Sequence, residues 1–213
     1  INKGLRMFYI YSFNLLCFAD DMVLLAPSWS GLQFLIDKLH QAAIEINMTF
    51  NVSKTVCMVF KPANSRYIIC DNFPAFSTSG QSLAFVTQFK YLGHVVCNDQ
   101  CDDEDIKREI KALFTRCNIL TNRFKRCSRF VKIRLFQTYC LCLFGTVLWS
   151  SFTSRTMQLF ISCFNKCVKR FFGFAKYDSV TAMFANLGIS NAQGRVQSLN
   201  SSFTSQVWRC HNW

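Results

Sequence analysis

Two apolar runs flank a short polar Ala-Asp-Asp stretch within residues 7–26, and this arrangement constrains the fold more than any other part of the chain. Short apolar runs bounded by a turn signal are typical of buried strands. Pro27 ends the second run, because proline lacks the amide N–H that a strand donates. The pattern therefore predicts a buried β-hairpin with Asp20 and Asp21 at its tip.

A helical pattern follows this hairpin, and Ser30 with Gln33 predicts a capping box at its start. The apolar face at helical spacing consists of Leu32, Leu35, Ile36, Leu39, Ala43 and Ile46. Residues 50–60 predict a loop and then a short strand, and residues 61–80 predict a loop. The apolar runs within residues 83–96 predict a second hairpin.

From residue 99 onwards the pattern is helical only. The acidic cluster at residues 99–105 predicts a helix start, because acids cap a helix N-terminus and interact favourably with its dipole. The apolar stripe of that helix consists of Ile106, Ile110, Leu113, Cys117, Leu120 and Phe124. A second helix is predicted to begin near Ser128 and a third to cover residues 155–172, and Asp178 or Ser179 is predicted to cap a shorter one. The last twenty residues carry only a weak pattern.

The uncharged run from Leu135 to Trp149 is shorter than the ~20 apolar residues that a membrane span needs, so it predicts a buried core helix. Strands with one helix are thus followed by helices alone. This order predicts an α+β fold with two regions, residues 1–98 and residues 99–213.

Charge is distributed unevenly between the two halves of the chain. Residues 1–109 carry nine Lys or Arg and eleven Asp or Glu, whereas residues 110–213 carry fifteen Lys or Arg and a single acid, Asp178. A nearly all-basic half indicates a polyanionic partner, with nucleic acid as the first candidate and an anionic membrane surface as the second.

The twelve Cys residues invite a disulfide interpretation. Five of them fall within apolar helical patterns, where a reduced thiol packs as a small hydrophobe. These are Cys117, Cys140, Cys142, Cys163 and Cys167. His94, Cys97 and Cys101 lie close together in sequence, and Cys210 precedes His211, but the Cys-x₂-Cys spacing typical of zinc sites is absent from the sequence. We therefore expect reduced thiols in an intracellular compartment and no zinc.

Adjacent carboxylates at Asp20 and Asp21 suit divalent-cation chemistry. Hard cations such as Mg²⁺ prefer carboxylate oxygens, and a pair of such ions activates an attacking hydroxyl and stabilises a leaving phosphate oxygen. The competing interpretation is a solvated Asp-Asp turn, since Asp is common in turns.

The segments FADDMVLLAPS and SGLQFLIDKL closely resemble the catalytic hairpin of reverse transcriptases, above all those of non-LTR (LINE-like) retrotransposons. The resemblance continues in the family's order through FNVSKTVCMVF, FKYLGHVV, DDEDIKREIKALFTRCNIL and RLFQTYCLCLFGTVLW, and it covers about residues 5–175. It implies a partial right-hand polymerase palm, built from antiparallel hairpins and one helix, followed by an all-α thumb. It also implies RNA-directed DNA synthesis with Mg²⁺ or Mn²⁺, on an RNA template and a DNA primer with deoxynucleoside triphosphates, in the nucleus or cytoplasm and without a membrane partner.

The resemblance also implies roles for individual residues. Asp20 is expected to bind both metal ions with Asp21 as an auxiliary acid, and Lys54 matches the motif whose Lys protonates the pyrophosphate leaving group. The residues expected near the nucleotide or the primer are Phe18, Ala19, Tyr91, Leu92 and Gly93. For Lys54, a solvated surface charge is an equally weighted alternative.

Polymerases of this family complete the metal site with a further Asp on an upstream strand. Residues 1–19 contain no acid, so we expect the 213-residue chain alone not to polymerise. It is expected to be a partial or degenerate copy.

The stretch from residue 116 to residue 134 is basic and contains no acid, and Phe124 and Phe130 interleave with its charges. Its basic residues are Arg116, Arg123, Lys125, Arg126, Arg129, Lys132 and Arg134. Basic helices that follow a phosphate backbone would hold a duplex, so we predict nucleic-acid binding here. A smaller cluster comprises Lys166, Lys169, Arg170 and Lys176. The alternatives are a non-catalytic nucleic-acid-binding protein that uses these helices, and a relic without function whose apolar surfaces make it poorly soluble.

Overall fold

The computed structural model describes residues 14–60 and 73–210. The chain divides into two compact units, of which the first comprises Ile1–Val59 and Ile68–Val86 and the second Phe60–Tyr67 and Thr87–Trp213. The hairpin within residues 83–96 therefore belongs mostly with the helices, whereas the sequence pattern groups it with residues 1–98. Six helices and several small hairpins in the described residues give the α+β class that the pattern predicts.

The first unit contains one helix and three two-stranded sheets among its described residues. In chain order the elements are β1 (Leu15–Phe18), β2 (Asp21–Leu24), α1 (Trp29–Glu45), β3 (Val56–Cys57), β4 (Ser77–Thr78), β5 (Gln81–Ser82) and β6 (Ala84–Phe85). β1 pairs with β2 and β4 with β5 in antiparallel fashion, as hairpins. β3 and β6 form a parallel pair that the sequence pattern did not predict.

The β1–β2 hairpin forms as predicted, but the prediction that its strands are buried is wrong. All four residues of β1 are exposed, and only Val23 and Leu24 of β2 are half-buried. The reason is that these strands form a two-stranded sheet that no other described strand extends. Leu24 packs at the edge of a small core formed by Ile36, Cys57, Phe76 and Leu83. The part of the predicted hairpin before residue 14 lies outside the described residues.

The N-cap of helix α1 lies two residues earlier than predicted. Ser28, not Ser30, is the N-cap, and its hydroxyl accepts from the Gly31 N–H. Trp29 then becomes the first helical residue and stacks on Phe76 with ring centroids 3.9 Å apart. The Gln33 side chain donates to the Ser77 carbonyl over 2.9 Å and accepts from the Ser77 N–H over 3.2 Å, so it ties α1 to β4.

The second unit contains one hairpin and five helices among its described residues. Its elements are β7 (Gln88–Tyr91), β8 (His94–Cys97), α2 (Asp103–Arg123), α3 (Arg129–Tyr139), α4 (Ser154–Phe172), α5 (Val180–Leu187) and α6 (Ala192–Cys210), with a 3-10 helix at Thr146–Leu148. A continuous core joins the helices and includes the fully buried Phe136, Phe160 and Phe164. Val168 and Leu113 complete its centre.

Most predicted features of these helices are confirmed. Four residues of the predicted α2 stripe are buried and the other two pack against them: Ile106, Leu113, Cys117 and Leu120, with Ile110 and Phe124. Ser128 caps α3, and its hydroxyl accepts from Val131 N–H. Ser179 caps α5 in the same way through Ala182 N–H. The predicted third helix corresponds to α4.

Two predictions for this unit are wrong, and one of its helices was not predicted. The run from Leu135 to Trp149 is not one helix, because α3 ends at Tyr139 and Gly145 adopts a φ of +82° before the 3-10 helix. The last part of the chain, despite its weak pattern, forms the long helix α6. Cys142 is exposed, whereas Cys140 and Cys117 are buried as predicted.

The prediction that acid side chains cap the start of α2 is wrong. Asp102 is the N-cap, but its side chain makes no capping bond and instead accepts from the N–H groups of Ser150 and Ser151 over 2.7 and 2.8 Å. Asp103 likewise binds the N–H and hydroxyl of Thr153. These carboxylates therefore fasten α2 to the start of α4. None of the helices in the described residues is both long and apolar enough to span a bilayer.

Candidate functional site

The acidic turn of the first unit is a two-residue hairpin loop. Phe18 pairs with Asp21 across the strands, so Ala19 and Asp20 alone form the loop. Ala19 has a φ of +53°, the left-handed value that the first position of a II′-type turn requires. Asp20 and Asp21 are both exposed, and Phe18 is 62% exposed. The hairpin thus presents two carboxylates and one aromatic ring to solvent.

These two carboxylates fit a hydrated Mg²⁺ ion, which is commonly held by one or two carboxylates and keeps several waters. Within residues 14–60 and 73–210, no group of three or more His, Cys, Asp or Glu residues is arranged to hold a metal ion. A full set of protein ligands is therefore not assembled in the described residues.

Lys54 belongs to the same unit and follows the short turn that starts at Asn51. Its main-chain N–H donates to the Asn51 carbonyl over 3.1 Å, and its side chain is exposed. The Thr55 hydroxyl donates to the same carbonyl over 2.9 Å. The backbone around Lys54 is therefore fixed, while its ammonium group is directed to solvent.

The predicted primer-binding residues form the tip of the β7–β8 hairpin in the second unit. Tyr91 pairs with His94, so Leu92 and Gly93 make up the loop, with φ values of +46° and +86°. Two positive values in succession are the pattern of a type I′ turn. A Cβ on Gly93 would lie 2.9 Å from the Phe144 ring. The positive φ and the close Phe144 ring both favour glycine at position 93.

A buried polar network fastens this hairpin to α2. Asp105 is fully buried, and its Oδ1 accepts from the Val95 N–H over 2.9 Å and from the Arg108 Nε–H over 2.6 Å. Its Oδ2 accepts from Trp149 Nε1–H over 2.8 Å and lies 3.2 Å from His94 Nδ1. Burial disfavours ionisation, but the hydrogen bonds from Arg108, Trp149 and Val95 outweigh it and lower the pKa of Asp105.

Arg108 is the counter-ion of this network. Burial lowers the pKa of its guanidinium, but the bonds and charges of Asp105 and Glu109 outweigh burial and raise it. Glu109 is also fully buried and receives the Arg116 guanidinium on its other oxygen. Sequence reasoning missed this network. The sequence feature that could have predicted it is the position of two acids, Asp105 and Glu109, on the apolar side of α2. Basic residues follow them one and two helical turns later.

The seven predicted nucleic-acid-binding residues fall into two groups. Four of them have intramolecular partners: Arg116 pairs with Glu109, Arg129 donates to the Asn186 carbonyl over 2.6 Å, Lys132 lies 5.8 Å from the Phe171 ring centroid, and Arg134 lies 5.7 Å from the Phe130 ring centroid. The other three are exposed, namely Arg123, Lys125 and Arg126. Arg123, Lys125 and Arg126 lie together where α2 turns into α3, and we call them the basic corner.

The smaller basic cluster lies on α4 and on the loop after it. Lys169 donates to the carbonyls of Lys176 and Asp178 over 2.7 and 2.6 Å, so it shapes this loop. Lys166, Arg170 and Lys176 are exposed. His94 and Cys97 were considered above as zinc ligands. In the structure His94 contacts Asp105, and Cys97 is buried at the end of β8.

Comparison with protein-family models, with curated proteins and with solved structures finds no match to this chain. The assignment of a function therefore depends on the residues and on the geometry described above.

Proposed function

We propose that this chain is the C-terminal palm and thumb portion of a non-LTR retrotransposon reverse transcriptase, an RNA-directed DNA polymerase. The observation that carries the proposal is the β1–β2 hairpin, whose two-residue loop presents Asp20 with Asp21 directly after it. The helix α1 follows this hairpin, as the resemblance requires. A second tight loop at Leu92 and Gly93, and a basic helical region after it, occur in the same order as in that family.

In this proposal Asp20 and Asp21 hold Mg²⁺, which when bound supplies charge neutralisation at the reacting phosphates. Their exposure in a two-residue loop leaves the carboxylate oxygens accessible to a hydrated ion. Tyr91, Leu92 and Gly93 position the primer by their rigid turn, and the Asp105 network keeps that turn fixed to α2. Lys54 is directed to solvent and is available to an anionic leaving group.

The basic corner holds the phosphate backbone of the primer–template. Its three cations are exposed, and residues 110–177 contain no acid that would neutralise them locally. Contacts of this kind fix the position of a duplex without reading its sequence. A non-catalytic nucleic-acid-binding protein would use the same corner and would not need Asp20.

The experiment that tests the catalytic part of the proposal is binding of the purified chain to an RNA–DNA primer–template, with and without Mg²⁺. We expect Mg²⁺ to tighten binding and Asp20→Asn to abolish that gain. Glu45→Gln is the matched control, since it neutralises another exposed acid of the first unit. An equal Mg²⁺ effect in the native chain and in Asp20→Asn would leave only the non-catalytic alternative.

A further inference from the structure

A groove with a cavity volume of about 720 Å³ runs between α2 and α4 in the second unit. Its walls include Phe114 and Asn118 from α2, Ile161 and Asn165 from α4, and Phe174 from the following loop. Pockets of roughly 300–1,000 Å³ take ligands of small-molecule size. The groove therefore has room for single nucleotides. A duplex could not place its bases there, because they are stacked and paired in its interior and only its phosphates face outwards.

One rim of the groove is strongly basic. Lys166, Lys169, Arg170 and Lys176 all line it, and no acid does. Asp178 lies in the same loop, but its carboxylate is held by the Ala175 N–H over 2.7 Å. A group of cations along a groove favours an anionic ligand that extends along it.

Arg170 lines the groove together with Cys117 and Cys167. Its side chain is exposed, so its guanidinium is available to an anionic ligand in the groove.

The remaining walls suit unpaired bases. Phe114 is 46% exposed and Phe174 is half-buried, so both offer aromatic faces on which bases stack.

We propose that the α2–α4 groove binds a single strand of nucleic acid, with its phosphates along Lys166, Arg170 and Lys176 and its bases between Phe114 and Phe174. The groove and the basic corner have no residue in common. The proposal rests on the proposed function only for the class of partner, and it does not require polymerisation.

The test measures the affinity of the full chain for three probes: a 12-nucleotide single-stranded RNA, the corresponding DNA, and a blunt-ended hairpin duplex. Four variants are compared with the native chain, one of which is the basic-corner variant Arg123→Gln/Lys125→Gln/Arg126→Gln. Lys166→Gln/Arg170→Gln removes two groove cations, and Phe114→Ala removes a stacking face. Lys111→Gln/Arg155→Gln removes two exposed cations from the same two helices outside the groove lining, and serves as the matched control.

We expect both groove variants to weaken single-strand binding about tenfold, with little change for the hairpin duplex, and the control to have a much smaller effect. Equal losses in the groove variant and the control would overturn the proposal, because they would indicate unspecific charge. Competition by poly-glutamate as effective as by single-stranded RNA would also overturn it.

The two proposals fail separately in this design. Loss of duplex binding on substitution of the basic corner, together with no single-strand binding, would sustain the proposed function and overturn the groove site. Single-strand binding sensitive to Phe114→Ala, without any duplex binding, would give the reverse outcome. Far-ultraviolet circular dichroism checks that each variant is folded, which is expected because every substituted side chain is exposed.

Discussion

Trp149 donates its indole Nε1–H to Oδ2 of Asp105 over 2.8 Å, and both side chains are buried. The other oxygen of Asp105 accepts from the Val95 N–H on β8. One carboxylate in the first turn of α2 therefore joins the β7–β8 hairpin to the segment before α4. The position of the Leu92–Gly93 loop depends on this carboxylate.

Substitution of Asp105 tests this arrangement. We expect Asp105→Asn to lower the free energy of unfolding by about 3 kcal/mol, because the half-buried Arg108 guanidinium loses one of its two ionised partners and keeps only Glu109. The control is Glu104→Gln, the neighbouring acid, whose pair with Lys107 is 47% exposed on both sides and contributes about 0–1 kcal/mol. Equal losses of unfolding free energy in Asp105→Asn and Glu104→Gln, measured by urea-induced unfolding, would contradict the account.

Acid is expected to weaken the second unit through the same group. The pKa of Asp105 is lowered because its hydrogen bonds outweigh the effect of burial, and the bonds from Thr153 lower the pKa of Asp103 against the same opposing effect. Ionised carboxylates of this kind stabilise the fold above the unfolded pKa of about 4, and that contribution is lost as the pH falls through the folded pKa. The stability difference between the native chain and Asp105→Asn should shrink from pH 7 to pH 3. A constant difference would show that ionisation of Asp105 does not stabilise the fold.

The β7–β8 turn requires glycine for two reasons that can be separated. Gly93 and Gly173 have similar positive φ values, +86° and +81°, but only at Gly93 would a Cβ meet a neighbour, the Phe144 ring at 2.9 Å. Both alanine substitutions are expected to cost about 1 kcal/mol for the backbone conformation. Gly93→Ala should cost more, and Phe144→Ala should remove the excess in a double-mutant cycle. Identical thermal shifts for Gly93→Ala and Gly173→Ala would be inconsistent with the close contact.

Two neighbouring thiols should differ sharply in reactivity. Burial raises the pKa of Cys140 to about 12, so almost none of it is thiolate at pH 8. Cys142 is exposed at the end of the same segment. Brief alkylation of the folded chain followed by peptide mass spectrometry should label Cys142 and spare Cys140. Both should be labelled after denaturation, and labelling of Cys140 in the folded chain would contradict its burial.

Local patterns predicted the elements that depend on neighbouring residues. The stripe of α2, the caps at Ser128 and Ser179, and the tight loops at Asp20 and Gly93 all follow from spacing and side-chain type. The structure differs from the prediction where contacts between residues far apart in sequence determine which partner a side chain binds. Asp102 and Asp103 bind the loop before α4 instead of capping α2, and no local pattern distinguishes those two uses of a carboxylate.

In the candidate site, too, local features could be predicted from the sequence and contacts between distant residues could not. The exposure of Asp20 and of the basic corner could be inferred from polar residues in turns. The pairing of Arg129 with Asn186 could not, because it joins residues that are far apart in sequence and meet only through packing. Helix α6 was missed because its apolar residues are few and its C-terminal half is exposed.

The central claim is that the basic corner holds a primer–template duplex. The most direct test is the affinity of the full chain for a blunt-ended RNA–DNA duplex across a salt series, compared with Arg123→Gln/Lys125→Gln/Arg126→Gln. We predict tight binding at low salt with a steep loss on raising it, and a slope that is shallower by about three in the triple variant. No binding at low salt, or an unchanged slope in the variant, would contradict the claim.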